Sequence, residues 1–147
     1  MDSRQLHLME LARAGENRVE KVPEGEGWVS GEASIRSCGD EIAVYIQIDS
    51  GRVLDARYTG VGCALALASA EAVTSSLSGR QIKESVALLR NSRELLSGQE
   101  GKDSSASEAA APLPQGFQEL GLVREFPARK GCVLLAFDAA LSALSKV

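Results

Sequence analysis

The sequence predicts an α+β fold, in which a three-stranded antiparallel sheet is packed with helices. Three observations support this prediction. Between residues 28 and 59, stretches with alternating apolar side chains are separated by short turn signals, as in hairpin-connected strands. After Gly62 the apolar repeat changes from two residues to about 3.6, the period of an α-helix. Helical patterns then continue towards the end of the chain, so helices are expected to cover the sheet.

The first 27 residues are expected to form one short helix and a loop. Leu8 and Leu11 have helical spacing within a helix from about Ser3 to Ala14, and Gly15 is a typical helix stop. The following residues, 16–27, are mostly polar and are expected to form the loop.

Three consecutive segments are predicted to be strands. Alternation is clearest in Ile42–Ile48 and weaker in Trp28–Ile35 and Val53–Thr59. Residues 49–52, Asp-Ser-Gly-Arg, form a hairpin signal between the last two strands. Residues 37–40, Ser-Cys-Gly-Asp, are the expected turn between the first two, so the sheet is predicted to be a meander.

Two helices are expected after the strands. The first is rich in small residues and runs to Gly79. Because small side chains allow another backbone to approach closely, this helix is expected to be central. The second runs from about Gln81 to Ser97, and its apolar stripe contains Ile82, Val86 and Leu89.

The C-terminal part contains a biased segment and a final helix. Residues 98–114 have almost no large apolar side chains and are predicted to be a mobile insertion within a single domain spanning residues 1–147. Residues 115–123 are expected to add a short helix. The final helix is predicted to begin near Pro127 or Ala128, and its apolar stripe contains Val133, Phe137, Ala140 and Leu144.

The composition argues against several classes of protein. The chain has 20 acidic and 16 basic residues, and the basic ones are dispersed, so we expect neither a nucleic-acid partner nor an anionic membrane surface. No apolar run approaches the ~18 residues of a membrane span, and the first residues lack the apolar core of an export signal. Three cysteines in this context indicate a reducing compartment, so a cytoplasmic protein is expected.

Three cysteines and one aspartate are the best candidates for chemistry. Cys38 and Asp40 flank Gly39 in a predicted turn. Cys63 begins the first long helix after the strands, and Cys132 lies early in the final helix. Three thiolates and one carboxylate make four ligands, the number that tetrahedral zinc requires. The odd number of cysteines argues against a closed disulfide framework.

The surroundings of these cysteines favour the thiolate form. A helix N-terminus stabilises an anion, as expected for Cys63. Arg129 and Lys130 precede Cys132, so the pKa of the Cys132 thiol is expected to be lowered. The spacing of the cysteines matches no compact zinc motif, however, so the residues alone leave a structural role for each cysteine open.

From Ser37 onward the chain resembles the U-type iron–sulfur cluster assembly family, which includes IscU, SufU and the N-terminal domain of NifU. Three segments, in the order found in the family, carry the resemblance: Cys38-Gly39-Asp40-Glu41-Ile42, Gly60-Val61-Gly62-Cys63-Ala64 and Arg129-Lys130-Gly131-Cys132-Val133. The resemblance implies a SufE/NifU-like fold.

The resemblance also implies a role for each site residue. Family members use these positions to hold zinc or a nascent cluster, so the expected ligands of zinc, or transiently of an iron–sulfur cluster, are Cys38, Asp40, Cys63 and Cys132. Cys63 is the expected acceptor of persulfide sulfur from a cysteine desulfurase. Arg129 is expected to help dock that partner or to neutralise the charge of the site. Downstream iron–sulfur proteins or assembly factors are the expected recipients.

Two features resemble SufU more than IscU. Gly131 stands where IscU-type proteins have a histidine ligand, and residues 98–121 resemble the insertion of the SufU branch. The Leu-Pro-Pro-Val-Lys segment of IscU-type proteins is absent, so transfer through a dedicated Hsp70 system is not expected. The family's N-terminal Asn-Pro pairs are also missing.

Three functions are therefore considered. The leading hypothesis is a zinc-binding sulfur acceptor that acts with a cysteine desulfurase and is not itself an enzyme. The second is a scaffold on which a [2Fe–2S] cluster is assembled and passed on. The third is a metal-stabilised structural or interaction domain without sulfur chemistry.

Overall fold

The structure is a computed structural model that describes residues 2–98 and 113–147. Its helices and strands are, in chain order, α1 (Ser3–Ala14), β1 (Trp28–Ile35), β2 (Asp40–Asp49), β3 (Arg52–Val61), α2 (Ala64–Leu77), α3 (Ile82–Ser97), two 3₁₀ helices (Gln118–Glu125 and Pro127–Arg129) and α4 (Lys130–Leu144). The sheet is antiparallel with the order β1-β2-β3, and helices pack against it, so the predicted α+β fold is confirmed.

The turn between β2 and β3 has the backbone that its sequence predicts. Ser50 and Gly51 have φ angles of 53° and 78°. Two successive positive φ angles are typical of a type I′ turn, whose twist matches that of the strands it joins. At the opposite end of the same pair, Glu41 lies beside Val61. The start of β2 and the end of β3 are therefore neighbours.

The core lies between one face of the sheet and two helices, α2 and α4. The prediction that α2 is central is confirmed, because α2 buries the small side chains of Ala66, Ala68, Ala70 and Ala72. On β1, a Cβ atom at Gly31 would collide with the backbone of Ala139 and Ala143 in α4. The missing side chain at Gly31 thus lets α4 lie directly on the strand. All four residues of the predicted α4 stripe are buried.

The predicted apolar stripe of α3 packs against the core. Leu89 is buried, and Ile82 and Val86 are half-buried against the core. The helix also buries two serines, Ser85 and Ser92. The Ser85 hydroxyl donates to the carbonyl of Gln81 at 3.0 Å, so it can be buried at little cost. Small side chains here allow α3 to pack closely on α4.

The segment around the predicted insertion is described only at its two ends. Gly98 ends α3 by donating its backbone N–H to Glu94 at 3.2 Å. Most of the predicted insertion, residues 99–112, lies outside the described residues. The short helix predicted at residues 115–123 is a 3₁₀ helix shifted to Gln118–Glu125. Within the described parts of the chain, each helix is too short or too polar to cross a bilayer.

Candidate metal centre

The predicted site residues converge at one end of the sheet. Because Glu41 pairs with Val61, the residues just before β2 and just after β3 leave the sheet side by side. Cys38 lies in the turn before β2, and Asp40 is the first residue of that strand. This placement puts a thiol and a carboxylate next to the segment that leads into α2.

The N-terminal ends of two helices supply the other two cysteines. Cys63 is the N-cap of α2, and Cys132 is the third residue of α4. The buried Ser69 hydroxyl of α2 donates to the carbonyl of Val133 at 2.6 Å, which fixes the first turn of α4 against α2. All four predicted ligand residues line one cavity of about 440 Å³.

Three of the four ligand atoms form a tight cluster. One ligand atom from each of Cys38, Asp40 and Cys132 lies within 4.8 Å of the other two. Tetrahedral zinc with bonds of about 2.0–2.3 Å holds its ligand atoms about 3.3–3.8 Å apart. The cluster therefore needs only a small contraction to match zinc. Cys63 is not one of these three residues, but it lines the same cavity and is a neighbour of Cys132.

The carboxylate of Asp40 fits a metal ion in this cavity. The Asp40 side chain is almost fully buried, with 3% exposure. Its Oδ1 atom accepts the backbone N–H of Cys63 at 3.2 Å, whereas its buried Oδ2 atom has no hydrogen-bond partner among the described residues. An unpaired buried acceptor costs about 1–3 kcal/mol, and a bound cation would remove this cost. The residues present thus fit zinc, with soft sulfur donors and one oxygen.

Cys63 has a different environment from the three clustered residues. It is half-buried, and its backbone is extended, with φ −72° and ψ 168°, just before α2 begins. The first N–H groups of a helix lack partners within the helix and favour an anion. A thiolate or persulfide on Cys63 would benefit from this position.

The prediction that the pKa of the Cys132 thiol is lowered is wrong. Burial of its side chain raises the pKa of the Cys132 thiol, and the neighbouring Asp40 and Cys63 raise it further. The two cations before it do not reverse this shift. Arg129 is exposed, and the Lys130 ammonium donates to the carbonyl of Ser97 at 2.7 Å. Burial and the acidic surroundings therefore dominate over the basic residues adjacent in sequence.

Arg129 borders the site. It ends the 3₁₀ turn Pro127–Arg129, and its backbone N–H donates to Phe126 at 2.8 Å. Its side chain lines the cavity that contains the cysteines. An exposed guanidinium at this mouth can contact either the site or a bound partner.

Two supporting residues were not identified from the sequence. A Cβ atom at Gly62 would come within 3.0 Å of the Asp40 carboxylate, so this glycine makes room for the ligand. Arg18 donates to the carbonyl of Gly60 at 2.7 Å and holds the segment that leads to Cys63. The Gly60-Val61-Gly62 pattern could have indicated the role of Gly62. Nothing in the sequence of the N-terminal loop indicated the role of Arg18.

Comparison with protein families and curated proteins gives consistent results. Residues 14–116 match the NifU-like N terminal domain. The chain is 30% identical over 110 residues to the zinc-dependent sulfurtransferase SufU of Bacillus subtilis, covering 75% of this chain and 70% of that protein. It is 27% identical over 111 residues to the iron–sulfur cluster assembly scaffold protein IscU of Thermotoga maritima, covering 76% and 72%.

Solved structures share the fold. The N-terminal part of a nitrogen-fixing NifU-like protein from Brucella abortus has a TM-score of 0.72 at 21% identity, covering 99% of this chain and 92% of that chain. A candidate SUF-system cluster assembly scaffold from Fervidobacterium islandicum AW-1 has a TM-score of 0.74 at 23% identity, covering 97% and 99%. These similarities extend over helices and sheet together.

Proposed function

Because this chain belongs to the NifU-like N-terminal domain family, we propose that it is a zinc-binding sulfur acceptor in iron–sulfur cluster assembly. In this role it takes persulfide sulfur from a cysteine desulfurase in the cytoplasm and passes it to downstream iron–sulfur proteins or assembly factors. The observation that carries the proposal is one cavity lined by all four residues, in which Cys38, Asp40 and Cys132 form the cluster and Cys63 lies half-buried at the N-terminus of α2. This arrangement suits three residues that hold a metal and a fourth that reacts.

The metal would be held by Cys38, Asp40 and Cys132, with Cys63 as the fourth ligand in the resting protein. Zinc, when bound, keeps its cysteine ligands deprotonated at neutral pH. This contribution is substantial at Cys132, because burial and the two acidic neighbours raise the pKa of its free thiol.

Cys63 would accept sulfur by thiol–persulfide exchange. Its thiolate attacks the outer sulfur of the persulfide on the desulfurase cysteine. The new S–S bond forms on Cys63 as the donor S–S bond breaks, and the donor cysteine leaves as a thiolate. Atoms and electrons balance without an added oxidant. The N-terminus of α2 stabilises the anionic persulfide on Cys63.

Arg129 would assist at the mouth of the cavity. Its exposed guanidinium lines the wall that an incoming persulfide must pass, so it can offset the negative charge of three thiolates and Asp40. The chain breaks no carbon–sulfur bond in this scheme. It is a substrate and carrier for the desulfurase and not an independent catalyst, although the relative from Bacillus subtilis is named a sulfurtransferase.

The test is to locate the transferred sulfur. The zinc-loaded chain is incubated with cysteine and the cysteine desulfurase of its source organism, and alkylated peptides are analysed by mass spectrometry. We expect one added sulfur atom on the Cys63 peptide. Cys63→Ala should lose both this adduct and the stimulation of desulfurase turnover while retaining the wild-type circular dichroism spectrum. Full stimulation by Cys63→Ala, or an adduct on Cys38 alone, would remove Cys63 from the acceptor role.

A scaffold for a [2Fe–2S] cluster is the second candidate. Relatives from Thermotoga maritima and Streptococcus pyogenes are named cluster assembly scaffold proteins, and four cysteine and carboxylate ligands can hold a cluster as cargo. Anaerobic reconstitution with iron and sulfide discriminates between the candidates. A stable visible chromophore on Cys38, Cys63 and Cys132 would favour the scaffold, whereas its absence together with persulfide on Cys63 would favour the acceptor.

A further inference from the structure

A second groove opens beside the cysteine cavity. It has a volume of about 270 Å³ and lies between α1, the start of α2 and the segment before α4. Its walls include Met9, Leu65, Leu122 and Phe126, which are apolar. Arg129 lines both this groove and the cysteine cavity, so the two are continuous at that residue.

The rim of this apolar groove exposes large side chains to solvent. Phe126 is 48% exposed and Met9 is 39% exposed. Leu6, which is 51% exposed, precedes Met9 by one turn of α1. Exposed apolar clusters mark interaction surfaces, and aromatic, methionine and arginine side chains are enriched there.

The other surface that borders the site is different in character. A wider groove of about 710 Å³ reaches the site through Glu41 and Val61. Its walls include the charged residues Arg13, Arg18 and Glu20. Charged walls of mixed sign bind water well, so covering them carries a desolvation cost that an apolar wall lacks. A partner that covers the site therefore gains more free energy on the side of the apolar groove.

Resting on the proposed function, we infer that the apolar groove at Met9 and Phe126 is the docking surface for the persulfide-donating cysteine desulfurase, which inserts an apolar side chain there. The donor persulfide must touch the thiol of Cys63, so the donor protein must cover the mouth beside Arg129. A specific protein interface buries about 800 Å² on each partner. The mouth of a cavity lined by eight residues supplies only part of that area. The footprint must therefore extend onto adjoining surface, of which this groove is the apolar part.

Binding measurements on matched variants test this inference. The zinc-loaded full chain is titrated with the source organism's desulfurase by calorimetry. Met9→Glu and Phe126→Ser should each raise the Kd at least tenfold, as expected for residues at the centre of an interface. The matched control is Leu54→Glu, since Leu54 is 53% exposed on β3 but near the strand end away from the site. The control should bind like the wild type, and all variants should retain one zinc per chain.

Photocrosslinking provides a second measurement that depends on no disruptive substitution. Benzoylphenylalanine replaces Phe126 in one protein and Leu54 in another, and each is irradiated with the desulfurase. We expect crosslinks to the desulfurase from position 126 only. Unchanged Kd values for Met9→Glu and Phe126→Ser without a crosslink at 126 would overturn the docking surface, as would a crosslink at 126 to a second copy of this chain.

The two proposals fail in different ways. If the wild-type chain receives no sulfur from the desulfurase, the proposed function fails. If the wild type receives sulfur on Cys63 and the groove variants receive it equally well with unchanged Kd, the function stands and the docking surface is wrong. If both Met9→Glu and Phe126→Ser weaken binding and slow transfer at low desulfurase concentration only, both proposals are supported.

Discussion

At the scale of single residues, the two carboxylate oxygens of Asp40 have different environments and different roles. One oxygen accepts the backbone N–H of Cys63 and so fixes the start of α2. The other is buried without a partner among the described residues and faces the cavity with the two neighbouring thiols. One short side chain therefore links the backbone at Cys63 to the proposed metal ligands.

We predict that Asp40→Asn weakens zinc binding while preserving the fold. The amide retains an oxygen that can accept the Cys63 N–H, but it loses the negative charge that would face the ion. Loss of a ligand should reduce zinc affinity by at least the roughly 10–100-fold measured for supporting residues around metal sites. Competition with a chromophoric chelator measures the affinity, and circular dichroism of the metal-free variant verifies the fold. Wild-type affinity in Asp40→Asn would exclude the carboxylate as a ligand.

Gly62 offers a sharper test of the same geometry. Its added Cβ in Gly62→Ala would come within 3.0 Å of the Asp40 carboxylate and 3.3 Å of Ala66. We expect the carboxylate to be displaced and zinc affinity to fall. Gly131→Ala is the matched control, because its Cβ meets only the flexible tip of Ile35 at 3.0 Å. Chelator competition on both variants should separate them, and equal affinities would contradict the role assigned to Gly62.

The sequence pointed to the cysteines and Asp40 as candidate ligands, but it did not predict how their surroundings shift the pKa of Cys132. Each lies beside glycine or basic residues, a pattern visible along the chain. The raised pKa of Cys132 depends on Asp40 and Cys63, which are distant in sequence and close only after folding. The basic residues adjacent in sequence therefore predicted a pKa shift of the wrong sign for the Cys132 thiol.

At the scale of elements, α4 lies directly on β1 at Gly31. Gly31→Ala should destabilise the protein by about 1–3 kcal/mol or more, because its Cβ would overlap the backbone of α4. Urea unfolding of this variant can be compared with Ser34→Ala, an exposed change on the same strand that should have little effect. A Gly31→Ala protein as stable as the wild type would show that α4 can shift without cost.

The elements themselves were largely predictable, and the buried residues that were missed are polar. Alternation and turn chemistry defined the strands, and the bounds of α1 and β1 agree with prediction. The apolar stripe of α3 was predicted correctly, since Ile82, Val86 and Leu89 pack against the core or lie in it. The apolar pattern did not predict that Ser85 and Ser92 are buried as well. The Ser85 hydroxyl can be buried because it bonds within its own helix.

At the scale of the whole molecule, the apolar core and the proposed metal site are separate sources of stability. The core spans sheet and helices and includes the fully buried rings of Phe117 and Phe137, 5.1 Å apart. We therefore expect the metal-free protein to remain folded. At a zinc concentration 100-fold above Kd, binding should add about 2.7 kcal/mol. This corresponds to a melting temperature about 5–11 °C higher than with a chelator.

Thermal denaturation followed by circular dichroism, with and without chelator, measures this difference. A chelated protein that keeps its helical signal and melts cooperatively at a lower temperature fits the prediction. An unfolded metal-free protein would instead support the third hypothesis, a domain whose structure depends on its metal. Unchanged melting together with zero zinc per purified chain would argue against a resident metal.

The arrangement of the sheet was predictable because the strand patterns and the turn sequences between them agreed. Hairpin turns join neighbouring strands, so three strands could form only a few sheets. The grouping of Cys38 and Asp40 with Cys132 was not derivable from spacing, because it depends on where α4 lies on the sheet. Resemblance to a family supplied that grouping.

The placement of Cys132 on the last helix has a consequence for biosynthesis. A ribosome releases the turn at Cys38 and the start of α2 long before α4 emerges. Until then the growing chain presents two thiols and a carboxylate without the buried partner that closes the cavity. On the proposed ligand set, tight loading with zinc would have to wait until α4 has been made, and a fragment lacking α4 would be left unloaded. Metal occupancy would thereby report that α4 has folded onto the sheet.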